Sequence, residues 1–293
     1  MSKIGYHLLA ILTIAIWGVT FVNTKVLLQQ GLQPTEIFLI RFVLAYFCIW
    51  PISPKSIKPQ KWTDELWFFI LGLVGGTIYF IAENTALALT YVNNVSFIVC
   101  TAPLITMLLA ILFVKSVKAT LPLMIGSAVA LVGVGMVIYN GHFVLQLNPL
   151  GDLLALAAAF SWAIYSLVIK KVSSRYSATF ITRKVFFYGI ITILPILLLS
   201  NWQFPLEQLQ KPIVWANILF LSVVASFLCF LWWSIAVKKL GALATSNYVY
   251  LNPVTTIIAS ALFLNEPMTA MAYAGSALIL IGVFVANHKI EES

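Results

Sequence analysis

The stretch Gly126-Ser127-Ala128-Val129-Ala130-Leu131-Val132-Gly133-Val134 returns 149 residues later as Gly275-Ser276-Ala277-Leu278-Ile279-Leu280-Ile281-Gly282-Val283. A repeat at such a distance fixes an architecture before any residue is given a role. The repetition reaches further back. Ala86 and Pro103 are spaced as Ala236 and Pro253 are, and Thr35, Phe38 and Arg41 return as Ser177, Phe180 and Arg183. Trp17 has its counterpart in Trp162, each preceded at the same distance by Leu-Leu-Ala. The chain therefore reads as two homologous units, residues 1–141 and 149–288, joined near Asn140 to Pro149.

Composition places these units in a bilayer. Hydrophobic residues make up 61% and charged residues 9%, and the mean hydropathy is +1.00, whereas soluble domains carry about 25% charged residues. Ten apolar stretches approach the roughly 20 residues that cross a hydrocarbon core: 6–28, 35–52, 66–89, 93–114, 121–140, 150–169, 178–199, 213–237, 242–264 and 269–287. The expected fold is an all-α integral membrane protein of ten transmembrane helices. Five spans per unit is an odd number, so the second unit runs through the membrane inverted relative to the first.

The net charge of +8 is a topology signal and not a nucleic-acid footprint. Lys3, Lys55, Lys58, Lys61, Lys115, Lys118, Lys170, Lys171, Arg175, Lys238, Lys239 and Lys289 all fall at one side of the spans, and the opposite loops carry only Lys211. By the positive-inside rule both termini are expected in the cytoplasm of a bacterial-type inner membrane. The first apolar segment has no convincing cleavage site and matches the first span of the second unit, so it reads as a span. Cys48, Cys100 and Cys229 sit singly in apolar stretches, His7, His142 and His288 lie at span ends, and no metal, phosphate or catalytic motif is present. No cofactor and no enzyme activity are expected. The loops hold at most about a dozen residues, so a ligand must be handled within the spans.

Candidate site residues therefore lie on helix faces. Gly72, Gly76, Tyr79 and Glu83 recur at helical spacing in the third span, and Trp17 with Thr20 marks the first. Trp17 and Trp162 lie deep in their spans, where tryptophan is uncommon because it gathers at interfaces. They read as cavity lining, with Tyr165 beside Trp162. Pro103 and Pro253 fall near the middles of the fourth and ninth spans. A proline there removes one backbone hydrogen bond and clashes with the carbonyl four residues earlier, that of Val99 or Val249. Paired broken helices are the best sequence pointer to a transporter's binding site. Both prolines are expected as hinges, with Ser96, Cys100 and Thr101 approaching the first and Ser246, Asn247, Tyr250 and Asn252 the second; of these Ser96, Ser246, Asn247 and Tyr250 are expected as cavity residues.

Buried charge is the sharpest signal. Glu83 lies about 10 Å deep and Arg41 about 9 Å deep from the same side, at 1.5 Å per helical residue. Glu83 reads either as an anchor for a substrate ammonium or a coupling proton, or as the static ion-pair partner of Arg41; Lys25 approaches the same layer. Arg183 and Lys184 are expected to snorkel toward lipid phosphates.

These residues resemble the drug/metabolite transporter superfamily, in particular its ten-span members built from two EamA-type five-span domains. The resemblance is carried by the two tryptophans, the two arginines, the alanine-to-proline spacing, Leu264-Asn265-Glu266 and the glycine repeats, and covers nearly the whole chain. One departure is Ser116, where the family often has a glutamate matching Glu266. The resemblance implies a secondary transporter or facilitator of small metabolites, amino acids among them, working by alternating access through a cavity between the halves. A proton-coupled multidrug or cation pump is the alternative within the class, and a membrane enzyme the alternative outside it. A monomer suffices for transport, because both halves belong to a single chain.

Overall fold

A computed structural model describes residues 2–90, 92–114, 120–139, 148–199, 205–263 and 269–287. Ten helical segments follow one another: α1 (Lys3–Gln29), α2 (Pro34–Ile52), α3 (Thr63–Leu89), α4 (92–113), α5 (Leu121–Tyr139), α6 (Pro149–Ser173), α7 (Ala178–Leu199), α8 (Pro212–Leu240), α9 (242–263) and α10 (Ala270–Asn287). Seven of them, α1 to α4 and α6 to α8, are long and apolar enough to cross a membrane, α4 over Val95–Phe113. The joint at 140–147, Ser116 and Glu266 lie outside the described residues.

Local chemistry sets the ends. The Ser2 hydroxyl accepts from the Gly5 N–H at 3.3 Å to cap α1, and Gly31, with φ 95°, turns the chain into Pro34 at the start of α2. Asn148 caps α6 by accepting from the Gly151 N–H at 3.0 Å, with Pro149 in the first turn.

The two halves interlock. Helix α1 packs on α8 and α9, and its repeat counterpart α6 packs on α3 and α4; α2 lies on α7 and α8, and α7 returns the relation by lying on α3. Equivalent helices α5 and α10 pack on each other and run antiparallel. A Cβ on Gly126 would stand 2.3 Å from the Ala286 nitrogen, and one on Gly133 only 2.6 Å from the Gly275 oxygen. The antiparallel crossing is the geometric sign of inversion, and the glycine faces serve contact within one chain.

Each half carries the same two irregularities. Wide π-helical turns interrupt α3 at Leu73–Ile78 and α8 at Phe220–Leu228. Carbonyls in these turns are bound by side chains from the first helix of the opposite half: Ser161 Oγ donates to the Val74 oxygen at 2.6 Å, and Trp17 Nε1 to the Ala225 oxygen at 2.8 Å. The second irregularity is the break before each proline. Helix α4 stops at Val99 and restarts at Ala102, while α9 tightens to a 3₁₀ segment at Asn247–Leu251 and restarts at Asn252. Pro103 and Pro253 thus each sit in the first turn of a new helix, where the missing N–H costs nothing, and not inside a strained continuous one. Cys100 Sγ reaches the Val249 oxygen at 3.5 Å and ties the two breaks together.

The lysine-bearing end corrects one expectation. Arg183 and Lys184 do not snorkel; they are 6% and 2% exposed. Arg183 donates to Ser53 Oγ at 3.1 Å, the Pro54 oxygen at 2.8 Å and the Tyr46 hydroxyl at 3.4 Å. Lys184 pairs with Glu65, which also accepts from the Tyr188 hydroxyl. Next to it Asp64 pairs with Arg175 at 2.9 Å and accepts from the Tyr176 hydroxyl at 2.8 Å, and Lys238 donates to the Tyr176 oxygen at 2.9 Å. Burial and the Asp64 carboxylate hold the Tyr176 phenol above its ordinary range, so it stays a donor. The two acids in the first turn of α3 draw these cations inward and away from lipid.

The α5–α10 crossing gives a direct test. Gly282→Val places its side chain 2.4 Å from the Ala130 nitrogen, an overpacking expected to cost about 1–3 kcal/mol. Gly135, with nothing within 4 Å of its Cβ position, is the control and tolerates Ala. Thermal unfolding in detergent followed by size-exclusion profile should separate the two; equal midpoints would refute the crossing.

Candidate functional site

The broken and bulged helices meet at one small cavity near the centre of the fold. Its volume is about 20 Å³, room for roughly one water. Five of the residues expected from the sequence line it: Trp17, Thr20, Tyr79, Glu83 and Trp162. Arg41 joins them from α2, and Val99 and Val249, the residues four before each proline, face it from the two breaks.

One side is aromatic. Trp17 and Trp162 meet edge to face with centroids 5.1 Å apart, Phe230 lies 5.8 Å from Trp17, and Tyr79 lies 5.0 Å from Trp162. Trp233 backs both indoles at 5.2 and 5.5 Å. Because the Trp17 N–H is held by the Ala225 oxygen and the Thr20 hydroxyl donates to the Trp17 oxygen at 2.7 Å, these two residues are fixed in place. The indoles offer ring surface.

The other side is polar. Glu83 Oε1 accepts from the Tyr79 hydroxyl at 2.7 Å, one helical turn away on α3. Arg41 donates through Nε to Ser226 Oγ in the π turn of α8, and its guanidinium lies over the Phe80 ring with 4.3 Å to the centroid. Arg41 and Glu83, for which an ion pair is one of the two readings, make no direct contact: each is held by another partner, and both face the same space. Lys25 does not share the carboxylate either. It donates to the Leu87 oxygen at 2.5 Å, capping the C-terminal turn of α3, where released carbonyls and the helix dipole favour a cation. Asn252 also lines the cavity, and its Oδ1 is buried without a hydrogen-bond donor among the described residues.

Five expected cavity residues stand elsewhere. Tyr165 is buried behind Trp162, its ring 4.9 Å away and pressed on Gly75, and Ser96 is buried in α4 one turn short of Val99. Ser246, Asn247 and Tyr250 do not line the cavity: the 3₁₀ segment packs on α10 and α5, and Asn247 donates to Asn287 Oδ1 at 2.8 Å. Val249 and Asn252 lie three residues apart, one 3₁₀ turn, and both line the cavity. Phe21, Phe80 and Phe230 were not expected at the cavity. Phe80 adjoins Tyr79 in sequence, whereas Phe230 had no local signal.

Comparisons with known proteins agree over the full length. The profile of the EamA-like transporter family matches residues 4–139 and again 149–288. An uncharacterized transporter of Archaeoglobus fulgidus is 26% identical over 97% of both chains. A probable amino-acid metabolite efflux pump of Salmonella typhimurium is 26% identical over 94% of this chain and 93% of its own. A probable terminal-alkyne amino-acid exporter of Streptantibioticus cattleyicolor is 23% identical over 95% and 92%. A crystal structure superposes with a TM-score of 0.76 at 18% identity, covering 96% of this chain and 97% of that one, and so shares the fold.

The bonds to the two π turns generate a paired prediction. Trp17→Phe and Ser161→Ala each remove the side-chain donor to one π-turn carbonyl, at an expected cost of about 0.5–1.5 kcal/mol. Thermal unfolding of both variants should show comparable losses, and unchanged midpoints would show that the turns do not need these donors.

Proposed function

The chain belongs to the EamA-like transporter family, and from that premise we propose that it is a secondary carrier exporting a small amino-acid-like metabolite by alternating access. The observation that carries the proposal is the cavity itself. It lies where two broken helices meet, is walled by aromatic rings, and presents a carboxyl group and a guanidinium that make no direct hydrogen bond to each other. Half-helices and irregular backbone inside a membrane persist where they line a cavity. With space for about one water, the cavity admits a metabolite only when its walls part. The flexing points are the breaks before Pro103 and Pro253, one inside each of the five-helix units 1–141 and 149–288.

In this reading Glu83, oriented by Tyr79, binds a substrate ammonium or a coupling proton, and the indoles of Trp17 and Trp162 hold the apolar part. Export, and amino acids as substrate class, follow the Salmonella efflux pump and the Streptantibioticus exporter to which the chain is similar. The lysine-bearing end faces the cytoplasm of a prokaryotic inner membrane by the positive-inside rule, which puts both termini inside. One chain holds the whole cavity, so a monomer is sufficient. The aromatic wall beside an acid also suits a proton-coupled pump for organic cations; against it stands Arg41, a fixed positive charge on the same cavity.

Counterflow in proteoliposomes preloaded with pooled amino acids and metabolites, with and without a pH gradient, tests the proposal. Saturable exchange of an amino-acid-like solute is expected. Glu83→Gln should lower exchange about tenfold, the scale of one charge-assisted hydrogen bond, and remove any response to the gradient. Exchange confined to organic cations would instead establish the pump, and unchanged kinetics in Glu83→Gln would remove that residue from the mechanism.

A further inference from the structure

We propose that Arg41 is the carboxylate-reading group of this cavity and that Ser226 is its positioning residue, so that the transported molecule carries an anionic group. The inference deepens the carrier reading and rests on it.

Arg41 is 3% exposed, and Nε is its one nitrogen with a protein acceptor among the described residues. Ser226 takes that Nε, and the Phe80 ring supports the guanidinium plane at 4.3 Å. The remaining donors, the η nitrogens, are left to the cavity that Arg41 lines. A planar guanidinium fixed at one edge presents a fork that matches a carboxylate in two parallel hydrogen bonds.

The repeat supplies an internal control. Arg183, the counterpart of Arg41, spends its nitrogens on Ser53, Pro54 and Tyr46, as a structural arginine does. The position that matches Ser226 in the other π turn is Gly76, which offers no hydroxyl. Were Arg41 merely the counter-ion of Glu83, the two would pair; Glu83 is instead held by Tyr79. Arg41 and Glu83 line the same cavity without a direct hydrogen bond, so the free edge of the guanidinium is open to a ligand carboxylate. Acceptors on the same cavity complete the match: the Glu83 carboxylate and the undonated Oδ1 of Asn252 suit an ammonium. Glu83 also disfavours a dianion such as phosphate, which leaves a carboxylate next to a cation or an apolar group as the fitting chemistry.

The test measures binding of three probes to the purified full chain by calorimetry: L-phenylalanine, its amide, which lacks the carboxylate, and 3-phenylpropionate, which lacks the ammonium. Wild-type protein should prefer the acid to the amide by about tenfold or more, the scale of a bidentate charge-assisted pair. Arg41→Gln should bring that ratio to about one. Ser226→Ala should lower it several-fold while leaving amide affinity unchanged, whereas a purely structural role would lower both. Should Arg41→Gln fail to fold, Arg41→Lys, which keeps the charge and loses the fork, joins Ser226→Ala in carrying the test. Arg41-dependent binding of 3-phenylpropionate with no gain for phenylalanine would uphold the carboxylate site while removing the amino-acid reading. Equal binding of acid and amide, a ratio that survives in folded Arg41→Gln, or no carboxylate binding at all would overturn the proposal.

Discussion

Inside a bilayer no water reaches the backbone, so a carbonyl released from a helix must find its donor in the protein. Both halves of this chain release carbonyls at the same places, at a π turn and ahead of a proline, and donors come from the opposite half. Trp17 serves the turn of α8 and Ser161 that of α3, while Cys100 of one break serves Val249 of the other. The irregular backbone therefore exists only because the halves interlock, and it concentrates where they meet. The cavity is the space these mutual repairs leave open.

Symmetry of the backbone is combined with asymmetry of charge. Arg41 and Arg183 occupy matching positions, yet one is bonded out within the protein and the other is left facing the cavity. Glu83 is matched in the second half by Trp233, which packs behind the tryptophan pair. The first half thus brings acid and base, and the second closes the cavity with Trp162 and Phe230. At the lysine-bearing end, Asp64 and Glu65 gather Arg175, Lys184 and the two tyrosines into a bonded layer that joins α3, α7 and the α6–α7 turn.

Spans, inversion and the tryptophan pair were legible because composition, arithmetic and depth in the membrane are properties of sequence. Side-chain direction around α9 was not: Val249 and Asn252 line the cavity while Ser246, Asn247 and Tyr250 do not, a choice set by packing on neighbouring helices that spacing does not encode. Charges were misread wherever a partner lay far along the chain: Lys184 finds Glu65, and Lys25 finds the end of α3, through tertiary contacts that spacing does not encode. Pro253 was recognised as a break, whereas the conformation of the residues before it depends on packing against α5 and α10.

Alternating access requires the cavity between the halves to open to the two sides of the membrane in turn. It is tested most directly by placing one cysteine at Thr20, in protein with Cys48, Cys100 and Cys229 replaced, and labelling sealed vesicles with an impermeant maleimide from either face. Labelling from both faces is expected, with the balance between them shifting when transported solute is added to one side. Labelling from a single face, whatever the solute gradient, would contradict it.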